Sequence, residues 1–471
     1  MKLPKQSEDF PAWYQEVVKN ADLAEPSYAR GTMVIKAYGY ALWERVQRFL
    51  DGEIKATGHQ NVYFPLFIPH KLLEKEAEHI EGFAPEVAVV THAGGSKLEE
   101  PLVVRPTSEA LIWGTYSKWV QSYRDLPLLY NQWANVVRWE MRPRLFLRTT
   151  EFLWQEGHTA HATAEECREE ALKMLEVYRK TAEGFLGIPV IVGRKSKSER
   201  FPGADETYTI EALMRDGKAL QAGTSHDLGQ NFAKTYDVTF LDKKGKQQYA
   251  YATSWGLSTR IIGGIIMAHG DDQGLRLPPS VAPYQAVIVP VGEDKAVVEA
   301  VTQLQSTLES SGIRTKLDDR TEVRPGYKFN EWELKGVPVR IELGPRDLAA
   351  STAVVVRRDS GEKTPVPFDT LPAHVNETLA SIQGSLRGDA TEFRKANTHE
   401  PKDYAEMKKL LAAQGGFMLT GWCGNDTCEN TVKKDTTATI RCLTLEPADE
   451  AGLCVVCGKT AIEKAHWAKA Y

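Results

Sequence analysis

A short stretch of the sequence combines positive, negative and aromatic side chains in a pattern that suits a nucleotide. Arg138 and Glu140 are two residues apart, and Arg148 and Phe152 follow after a loop. On an extended chain, Arg138 and Glu140 point to the same face. Guanidinium groups bind phosphates in bidentate fashion, a carboxylate accepts a hydrogen bond from an adenine amine, and an aromatic ring stacks on a base. The pattern therefore suits a nucleoside triphosphate; the alternative is an ordinary ion pair between neighbouring charges.

A second arginine stands at the start of an apolar segment. Arg260 lies within the run from Gly256 to Gly264, and the apolar residues after it predict a helix. Taken alone, an arginine in this position is more often structural than ligand-binding, so both interpretations stand.

Four of the six cysteines form two close pairs near the end of the sequence. Cys423 and Cys428 are separated by four residues and Cys454 and Cys457 by two, with 25 residues between the pairs. Because cytosolic chains rarely keep disulfides, such pairs favour a metal. Four thiolates that leave no ligand position open predict a tetrahedral, structural zinc site. The alternative is a set of free buried thiols, and the other two cysteines are interpreted as ordinary buried residues.

The elements that position these residues follow from the apolar pattern. Residues 35–49 carry apolar side chains at spacings of three and four, which predicts an amphipathic helix. Residues 62–68 are apolar throughout and predict a strand buried on both faces. Pro65 cannot donate a hydrogen bond to a neighbouring strand, so this strand is expected at a sheet edge. An apolar edge needs a cover, either a second subunit or a loop of the same chain.

Two further patterns indicate the fold class. Thr163 and Glu166 form a capping box that predicts the start of a helix, and residues 116–154 are predicted to be mostly extended. The first part of the chain is therefore predicted to be α+β with a largely antiparallel sheet. The second part alternates between strand and helix patterns and predicts an α/β domain of about 100 residues.

Length and composition set the limits on the whole chain. Its 471 residues predict about three domains, and changes in composition divide it into 1–278, 279–385 and 386–471. A hydrophobic share of 42% and a charged share of 26% exclude collagen-like, low-complexity and largely disordered classes. No apolar run approaches the roughly 20 residues of a membrane helix, and the start has no signal-peptide pattern, so a cytoplasmic protein is expected. With a net charge of −5, nucleic-acid binding must use a segregated basic face.

In combination and order, these features resemble motifs 1, 2 and 3 of class II aminoacyl-tRNA synthetases. The helix and the Pro65 segment resemble motif 1, the hairpin from Arg138 to Phe152 motif 2, and the Arg260 helix motif 3. The resemblance is to prolyl-tRNA synthetases in particular and covers essentially the whole chain. The loop Arg105-Pro106-Thr107-Ser108-Glu109 resembles the amino-acid loop that threonyl, seryl and prolyl enzymes share. The stretches that resemble prolyl-tRNA synthetases specifically are Phe201-Pro202-Gly203-Ala204, Gly223-Thr224-Ser225-His226-Asp227-Leu228-Gly229 and His269-Gly270-Asp271-Asp272. In the second part of the chain, Arg340-Ile341-Glu342-Leu343-Gly344-Pro345-Arg346-Asp347 resembles their anticodon-binding signature.

The resemblance implies that L-proline reacts with ATP to form prolyl-adenylate and is then transferred to tRNA(Pro). It places Arg138 at the α-phosphate, Arg148 and Arg260 at the β- and γ-phosphates, Glu140 at the adenine amine and Phe152 on the ring. The proline carboxylate is already a nucleophile, so the three arginines are the implied catalytic residues and act by positioning and charge neutralisation. Mg²⁺ is expected to rest mainly on phosphate oxygens and water. The implied ATP-binding residues are Arg138, Glu140, Arg148, Phe152, Gln221, Thr224 and Arg260.

The same resemblance implies a proline pocket in which Glu109 and Thr107 pair with the imino group. For His158, a purely structural role stays equally open. The implied pocket residues are Thr107, Glu109, Arg138, Trp154, Glu156, His158, Phe201, His226, Ser254 and Gly256.

Outside the catalytic domain, the resemblance makes Glu342 and Arg346 candidates for anticodon binding. The edge around Pro65 becomes the expected homodimer contact. The C-terminal cysteines resemble the zinc-binding domain of archaeal/eukaryotic-type members, whose last tyrosine, here Tyr471, reaches toward the catalytic domain. The alternative for Tyr471 is an aromatic side chain that fills a surface groove.

Some relatives carry a large hydrolytic editing insertion between motifs 2 and 3. Only about 90 residues separate His158 from Tyr249, so we expect no editing in cis. An inactive binding module is the alternative from another class, but such a module would be expected to lose one of the arginines or Glu109. A threonyl-type enzyme would need a zinc set of one cysteine and two histidines in the catalytic domain. The predicted catalytic domain of this chain contains one cysteine, Cys167, on a helix face predicted to be exposed.

Two short stretches are similar to class I synthetase signatures, namely His79-Ile80-Glu81-Gly82 and Lys195-Ser196-Lys197-Ser198. A class I signature of the first type follows the first strand of a nucleotide-binding βαβ unit, whereas His79 lies in a charged helical stretch. Both stretches are therefore interpreted as solvated surface.

Overall fold

A computed structural model describes residues 3–79, 87–292, 294–445 and 451–471 of the chain. Helix α2 is the amphipathic helix predicted for residues 35–49. Its residues Leu42, Val46 and Leu50 are fully buried, because a spacing of three or four places them on one helix face. The first elements are α1 (Phe10–Asn20), β1 (Ala24–Pro26), β2 (Met33–Ile35) and α2 (Ala37–Ala56).

The segment around Pro65 differs from the single strand that the sequence predicts. It contains two short strands, β3 (Gln60–Asn61) and β4 (Phe67–Pro69), separated by the proline. Strand β4, which overlaps the predicted residues 62–68, lies at the edge of a separate three-stranded sheet, so the predicted edge position is confirmed for this strand. Strand β3, which ends just before residue 62, lies at the edge of the largest sheet. The prediction that this segment is buried on both faces is wrong, because the Tyr63 side chain is 70% exposed and that of Phe67 is 45% exposed. Proline lacks an N–H and restricts the residue before it, which weakens strand pairing at this point, and residues 62–66 form no strand.

The rest of the first domain is an antiparallel sheet with helices against it, which confirms the α+β prediction. Strands β9, β10, β11, β14, β8 and β7 are neighbours in that order, all antiparallel, and β3 adds in parallel to β7. The elements are α3 (His70–His79), β5 (Ala88–Ala93), β6 (Ser96–Val104), α4 (Glu109–Trp119), β7 (Leu128–Val137), β8 (Glu151–His161), α5 (Ala164–Lys180), β9 (Val190–Arg194), β10 (Glu206–Leu213), β11 (Ala219–Asp227), α6 (Asn231–Tyr236), β12 (Thr239–Leu241), β13 (Gln247–Tyr249), β14 (Tyr251–Ser258) and α7 (Arg260–His269).

Helix α5 begins where the capping box predicts. The Thr163 hydroxyl accepts a hydrogen bond from the backbone N–H of Glu166, and the Glu166 carboxylate accepts one from the N–H of Thr163. The expectation that Cys167 is exposed on this helix is wrong. Its thiol is fully buried and lies 3.2 Å from a carboxylate oxygen of Asp227, because α5 packs against β11 and β14.

The second domain confirms the α/β prediction and adds elements that the pattern does not reveal. Strands β15, β16 and β17 are parallel, and β18 and β19 complete the sheet in antiparallel fashion. The sequence analysis missed β19, which contains proline, and the helices α9, α10 and α11. The elements are β15 (Ala286–Pro290), α8 (Lys295–Ser310), β16 (Thr315–Leu317), α9 (Pro325–Leu334), β17 (Val339–Leu343), α10 (Pro345–Ala349), β18 (Thr352–Arg357), β19 (Lys363–Pro367) and α11 (Leu371–Ala396).

Helix α11 runs through the predicted boundary at 385/386 and leads directly into the last part of the chain. The polar stretch that suggested a linker is largely the outer face of this helix. The remaining elements are β20 (Thr398–His399), α12 (Tyr404–Ala413), β21 (Phe417–Trp422), α13 (Asp426–Thr436), β22 (Thr439–Leu443) and β23 (Glu463–Ala468).

The C-terminal strands join the catalytic sheet. Strand β22 pairs with β9 through Leu443 and Arg194, so one sheet of eleven strands extends from β20 to β3. Each domain also has its own apolar core. Among the residues that the structure describes, no helix combines the length and the apolar character needed to cross a membrane.

Candidate active site

The candidate site is a cleft on one face of the central sheet. Side chains alternate between the two faces of a strand, so residues two apart on β8, β11 and β14 enter the same cleft. The strand register aligns them in rows. His226, Ser254 and His158 are paired across the three strands, and Thr224, Gly256 and Glu156 form the next row.

Fourteen of the sixteen predicted ATP and proline residues line this cleft, which has a volume of about 280 Å³. They come from sequence positions as far apart as Thr107 and Arg260, and the sheet brings them together. The fourteen residues are Thr107, Glu109, Arg138, Phe152, Trp154, Glu156, His158, Phe201, Gln221, Thr224, His226, Ser254, Gly256 and Arg260.

The two predicted residues outside this lining are Glu140 and Arg148. They pair with each other across the motif 2 hairpin, with 3.6 Å between Arg148 Nε and Glu140 Oε2. The ion-pair alternative of the sequence analysis therefore applies to Glu140, with Arg148 rather than Arg138 as its partner.

One end of the cleft is built from buried carboxyl groups. The Thr107 hydroxyl donates to Glu109, and Glu156 accepts hydrogen bonds from Ser108 and from Gln132 Nε2, the latter at 2.7 Å. His158 Nε2 lies 3.0 Å from Glu156 Oε2.

These contacts determine the charge of the Glu156–His158 pair. Burial alone would raise the pKa of Glu156, but the hydrogen bond and charge of His158 outweigh it, so this pKa is lowered. Burial alone would lower the pKa of His158, but its bond to Glu156 and the charges of Glu109 and Glu156 raise it. The pair is therefore stabilised in its ionised form. His158 Nδ1 has no hydrogen-bond partner among the described residues.

The other end of the cleft carries arginines and aromatic rings. Arg138 Nε donates to the Pro106 carbonyl at 2.9 Å, and its guanidinium lies 5.6 Å from the Phe152 ring and 5.2 Å from the Trp154 ring. Arg260 Nε donates to the Leu147 carbonyl at 3.1 Å. Desolvation lowers the pKa of Arg260 to about 10, and the positive charges of Arg138 and Arg148 add to the decrease. Arg260 therefore lies within electrostatic reach of both other arginines, and an anionic ligand near it would relieve this repulsion.

The four predicted cysteines also converge. The sulfur atoms of Cys423, Cys428, Cys454 and Cys457 all lie within 4.8 Å of one another. Cys423 Sγ is 3.7 Å from the sulfurs of both Cys428 and Cys457. A tetrahedral site with Zn–S bonds of about 2.3 Å has S···S separations of about 3.8 Å, so these thiols fit such an ion.

Comparison with known protein families accounts for most of the chain. Residues 91–269 match the family described as "tRNA synthetase class II core domain (G, H, P, S and T)". Residues 285–378 match "Anticodon binding domain", and residues 404–471 match "Prolyl-tRNA synthetase, C-terminal".

Relatives match over the full length. A proline–tRNA ligase of Chlorobium phaeobacteroides (strain BS1) is 54% identical over 98% of both chains. One of Chlorobium limicola (strain DSM 245 / NBRC 103803 / 6330) is 55% identical over 100% of this chain and 99% of the relative. The chain belongs to the proline–tRNA ligase family. It is thus a ligase with a class II synthetase core.

A solved structure supports the membership of the proline–tRNA ligase family. The prolyl-tRNA synthetase of Cryptosporidium parvum, crystallised with halofuginone and AMPPNP, superposes with a TM-score of 0.95 at 39% identity and 99% coverage of both chains. The α+β class II architecture predicted from the sequence is confirmed.

The predicted anticodon residues of this proline–tRNA ligase lie in the second domain. Glu342 on β17 is paired with Arg340, whose Nη2 is 2.9 Å from Glu342 Oε1. Arg346 lies exposed in the first turn of α10. A small cavity in this domain is lined by neither residue. Its basic lining consists of Arg340, Arg357, Arg358 and Lys363.

The sequence analysis missed several residues of the cleft. Gln132 contacts Glu156, and Lys195, Glu199 and Arg200 belong to the lining of the cleft. The interpretation of residues 195–198 as solvated surface is wrong for Lys195 and Ser196, which are buried. Alternating lysine and serine residues are typical of a surface loop. The residues that bury this loop, such as Glu429 and Arg441, lie more than 200 positions away, so no local pattern indicates them. The other stretch, His79-Ile80-Glu81-Gly82, extends beyond the described residues from position 80.

Proposed function

We propose that this proline–tRNA ligase activates L-proline with ATP in the cleft, with proline at the carboxylate end and the nucleotide at the arginine end. The polarity of the cleft carries this assignment. Glu109 and Glu156 suit a cationic imino group at one end, and Arg138, Arg260 and Phe152 suit an anionic nucleotide at the other.

In the reaction, an oxygen of the proline carboxylate attacks the α-phosphorus of ATP, and the bond to the departing pyrophosphate breaks. No proton has to be removed, so no general base is needed. Arg138 lines the cleft together with Glu109 and with Phe152, and the Pro106 carbonyl fixes its guanidinium. It can therefore neutralise the proline carboxylate and the α-phosphate together, which brings two anions into contact.

We propose that Glu140 and Arg148 bind ATP after their mutual ion pair opens. Arg148 is half exposed in this pair, and exposed ion pairs contribute only about 0–1 kcal/mol. A phosphate can therefore replace Glu140 as the partner of Arg148, which frees the Glu140 carboxylate for the adenine amine.

We propose that the protein binds Mg²⁺ and Zn²⁺, on the basis of the ligand atoms available at each site. Gln221 and Thr224 line the cleft but are neutral, so Mg²⁺ would be held mainly by the phosphates of ATP and by water. The four cysteines would hold a structural Zn²⁺, because their separations match a tetrahedral thiolate site with no open position.

Three further proposals concern tRNA binding, dimerisation and the domain boundaries. We propose that tRNA(Pro) contacts Glu342 and Arg346 in the second domain. We propose a homodimer that covers the exposed aromatic side chains beside Pro65. We retain the functional division into 1–278, 279–385 and 386–471, although α11 crosses the second boundary.

We also propose that this ligase has no editing site in cis. Between β8 and β14, the described chain forms α5, α6 and strands β9–β13, and three of these strands belong to the catalytic sheet. A pocket gains only about 1–3 kcal/mol per methylene, so alanine is not fully rejected by binding.

Pyrophosphate exchange with each of the twenty amino acids tests the proposed function. Proline should give the highest kcat/KM, with measurable exchange for alanine and cysteine. Alanyl-tRNA(Pro) incubated with the enzyme should persist as it does in buffer. Exchange that favours another amino acid would overturn the substrate assignment, and rapid deacylation would overturn the absence of editing.

A further inference from the structure

The loop between β9 and β10 forms part of the cleft and is held by both the catalytic domain and the C-terminal domain. This loop, residues 195–201, is called the strap here. Lys195, Glu199, Arg200 and Phe201 of the strap line the cleft. Its regular structure is a single three-residue 3₁₀ turn, Lys197–Glu199, which has little stability of its own.

The first anchor of the strap is Glu429 in the first turn of α13. Glu429 Oε1 accepts hydrogen bonds from the hydroxyls of Ser196 at 2.6 Å and Ser198 at 2.7 Å. Both Glu429 and Ser196 are almost completely buried. Removal of Glu429 would leave two hydroxyls without their acceptor, which is costly inside a protein.

The second anchor is a buried ionic cluster around Glu211 on β10. Lys195 Nζ donates to Glu211 Oε1 at 2.5 Å, and Arg441 of β22 donates to the same carboxylate through Nη2 at 3.0 Å and Nε at 3.2 Å. Lys195 Nζ also donates to the Arg441 carbonyl at 3.0 Å. The Arg441 carbonyl therefore binds the first residue of the strap directly, and the Arg441 guanidinium fixes the Glu211 carboxylate to which Lys195 also donates.

The last residue of the strap meets the proline end of the cleft. The backbone N–H of Phe201 donates to the Thr207 hydroxyl at 3.0 Å, and the Phe201 ring lies 4.7 Å from the ring of His226. The strap thus connects residues of the C-terminal domain to the proposed wall of the proline pocket.

We infer that Glu429 and Arg441 are positioning residues for proline recognition, because they hold the strap in the conformation in which Phe201 closes the pocket. This inference rests on the proposed assignment of the cleft and adds the C-terminal domain to it. Neither residue belongs to the cleft lining; Glu429 acts through Ser196 and Ser198, and Arg441 acts through Lys195.

The decisive experiment compares Glu429→Ala with Glu463→Ala in the full-length enzyme by pyrophosphate exchange. Glu463 is a matched control, because it also reaches from the C-terminal domain to the catalytic domain but pairs with Arg194, which lies outside the cleft lining. Glu429→Ala should raise the KM for proline about ten- to a hundredfold, since a displaced wall weakens substrate positioning. In Glu429→Ala, the KM for ATP should stay within about twofold of wild type. In Glu463→Ala, the KM for proline and the KM for ATP should both stay within about twofold of wild type.

A second readout follows the strap itself. Lys197 is exposed and Arg200 is partly buried, so trypsin can cut the strap once it is released. Cleavage after these residues should accelerate in Glu429→Ala and stay slow in Glu463→Ala. Glu429→Gln should restore much of the wild-type behaviour, because an amide oxygen can also accept from both serines. If Glu429→Ala does not fold, the double variant Ser196→Ala/Ser198→Ala removes the same bonds from the other side.

Phe201→Ala separates the inference from the proposal on which it rests. An unchanged KM for proline in Phe201→Ala would show that the cleft assignment itself is wrong. A raised KM in Phe201→Ala together with wild-type values in Glu429→Ala and in the double serine variant would overturn the positioning role alone. Equal effects of Glu429→Ala and Glu463→Ala would also overturn it, because they would indicate a general loss of stability.

Discussion

Arg138 lies between the two ends of the cleft, where its guanidinium is held by a backbone carbonyl and flanked by Phe152 and Trp154. A cation fixed before the substrate binds needs little reorganisation during the reaction, and such preorganised charge contributes strongly to catalysis. Its role therefore depends on geometry as well as on charge, and a lysine at this position cannot reproduce the planar contacts.

We expect Arg138→Ala to reduce adenylate formation about 10³-fold, because the transition state loses its fixed counter-charge. Arg138→Lys should restore only part of the activity. Pyrophosphate exchange measures both variants without tRNA. Arg142→Ala, which removes an exposed arginine of the same hairpin, is the control and should retain wild-type exchange. Near-wild-type exchange in Arg138→Ala would contradict the assignment.

The raised pKa of His158 predicts a pH-dependent contribution to stability. A group whose pKa is higher in the folded than in the unfolded state stabilises the protein fully below its unfolded pKa of about 6.5. This contribution is lost as the pH rises through the folded pKa. His158→Gln should therefore be destabilised most near pH 6, and the difference from wild type should narrow at alkaline pH. Urea unfolding across this pH range measures the difference in the free energy of unfolding between His158→Gln and wild type. The exposed His92→Gln is the control. If the difference for His158→Gln does not depend on pH, the Glu156–His158 pair is not charged as proposed.

At the scale of elements, apolar periodicity predicted α2 and α5, because each of these helices buries one regular face, and apolar runs predicted α7 and most strands of the α/β domain. The Pro65 segment was predicted as one strand because its composition is apolar, but an apolar composition does not show where strand pairing stops beside a proline. Most of the proposed ATP and proline site could be predicted by residue, whereas Lys195 and Gln132 could not. Their roles depend on partners more than fifteen residues away, which no local pattern contains.

The exposed aromatic side chains beside Pro65 predict the effect of a charge in this segment. Tyr63→Asp and Phe67→Asp should shift the protein from dimer to monomer, because a buried carboxylate without a partner opposes association. Sedimentation velocity measures the change. Tyr28→Asp, at a fully exposed aromatic residue elsewhere, should leave the association state unchanged. A monomeric wild-type protein would contradict the proposed interface.

The cysteine cluster predicts metal-dependent stability of the C-terminal domain. Wild-type protein should contain about one zinc per chain, and Cys428→Ser should lose the metal and melt several degrees lower, since structural zinc contributes to folding. Cys442→Ser removes a buried thiol of the same domain outside the cluster and should keep its zinc. Elemental analysis and thermal melting test this; full zinc content in Cys428→Ser would contradict it.

At the scale of the whole molecule, an arginine with a buried side chain forms one of the contacts between the catalytic and anticodon-binding domains. Arg358, directly after β18, donates to the two carboxylate oxygens of Asp271 at 2.8 and 2.6 Å. Asp271 follows α7, the helix that starts with Arg260. This contact therefore lies between the candidate tRNA-binding domain and a proposed phosphate-binding residue.

We expect Asp271→Asn to lower the free energy of unfolding by about 3 kcal/mol, because it leaves a buried arginine without its counter-charge. The neighbouring Asp272→Asn is the matched control, since Asp272 accepts only an exposed backbone N–H from Gln6 among the described contacts. Unfolding in denaturant should show a larger loss of stability for Asp271→Asn than for Asp272→Asn. Equal losses of stability would argue against a stabilising role of the Arg358–Asp271 contact.

Helix α11 has a consequence for how the anticodon-binding domain moves. Residues near 279–285 form one covalent connection of that domain, and α11, which continues into β20, forms the other. A domain connected to its neighbours at both ends can rotate only about the line through the two connections. Lys335 also lies 3.0 Å from Asp22 of the catalytic domain, and Gln383 of α11 donates to the Phe185 carbonyl at 3.3 Å. Loss of the Asp271 contact alone should therefore not free this rotation, and bound tRNA should keep its orientation toward the cleft.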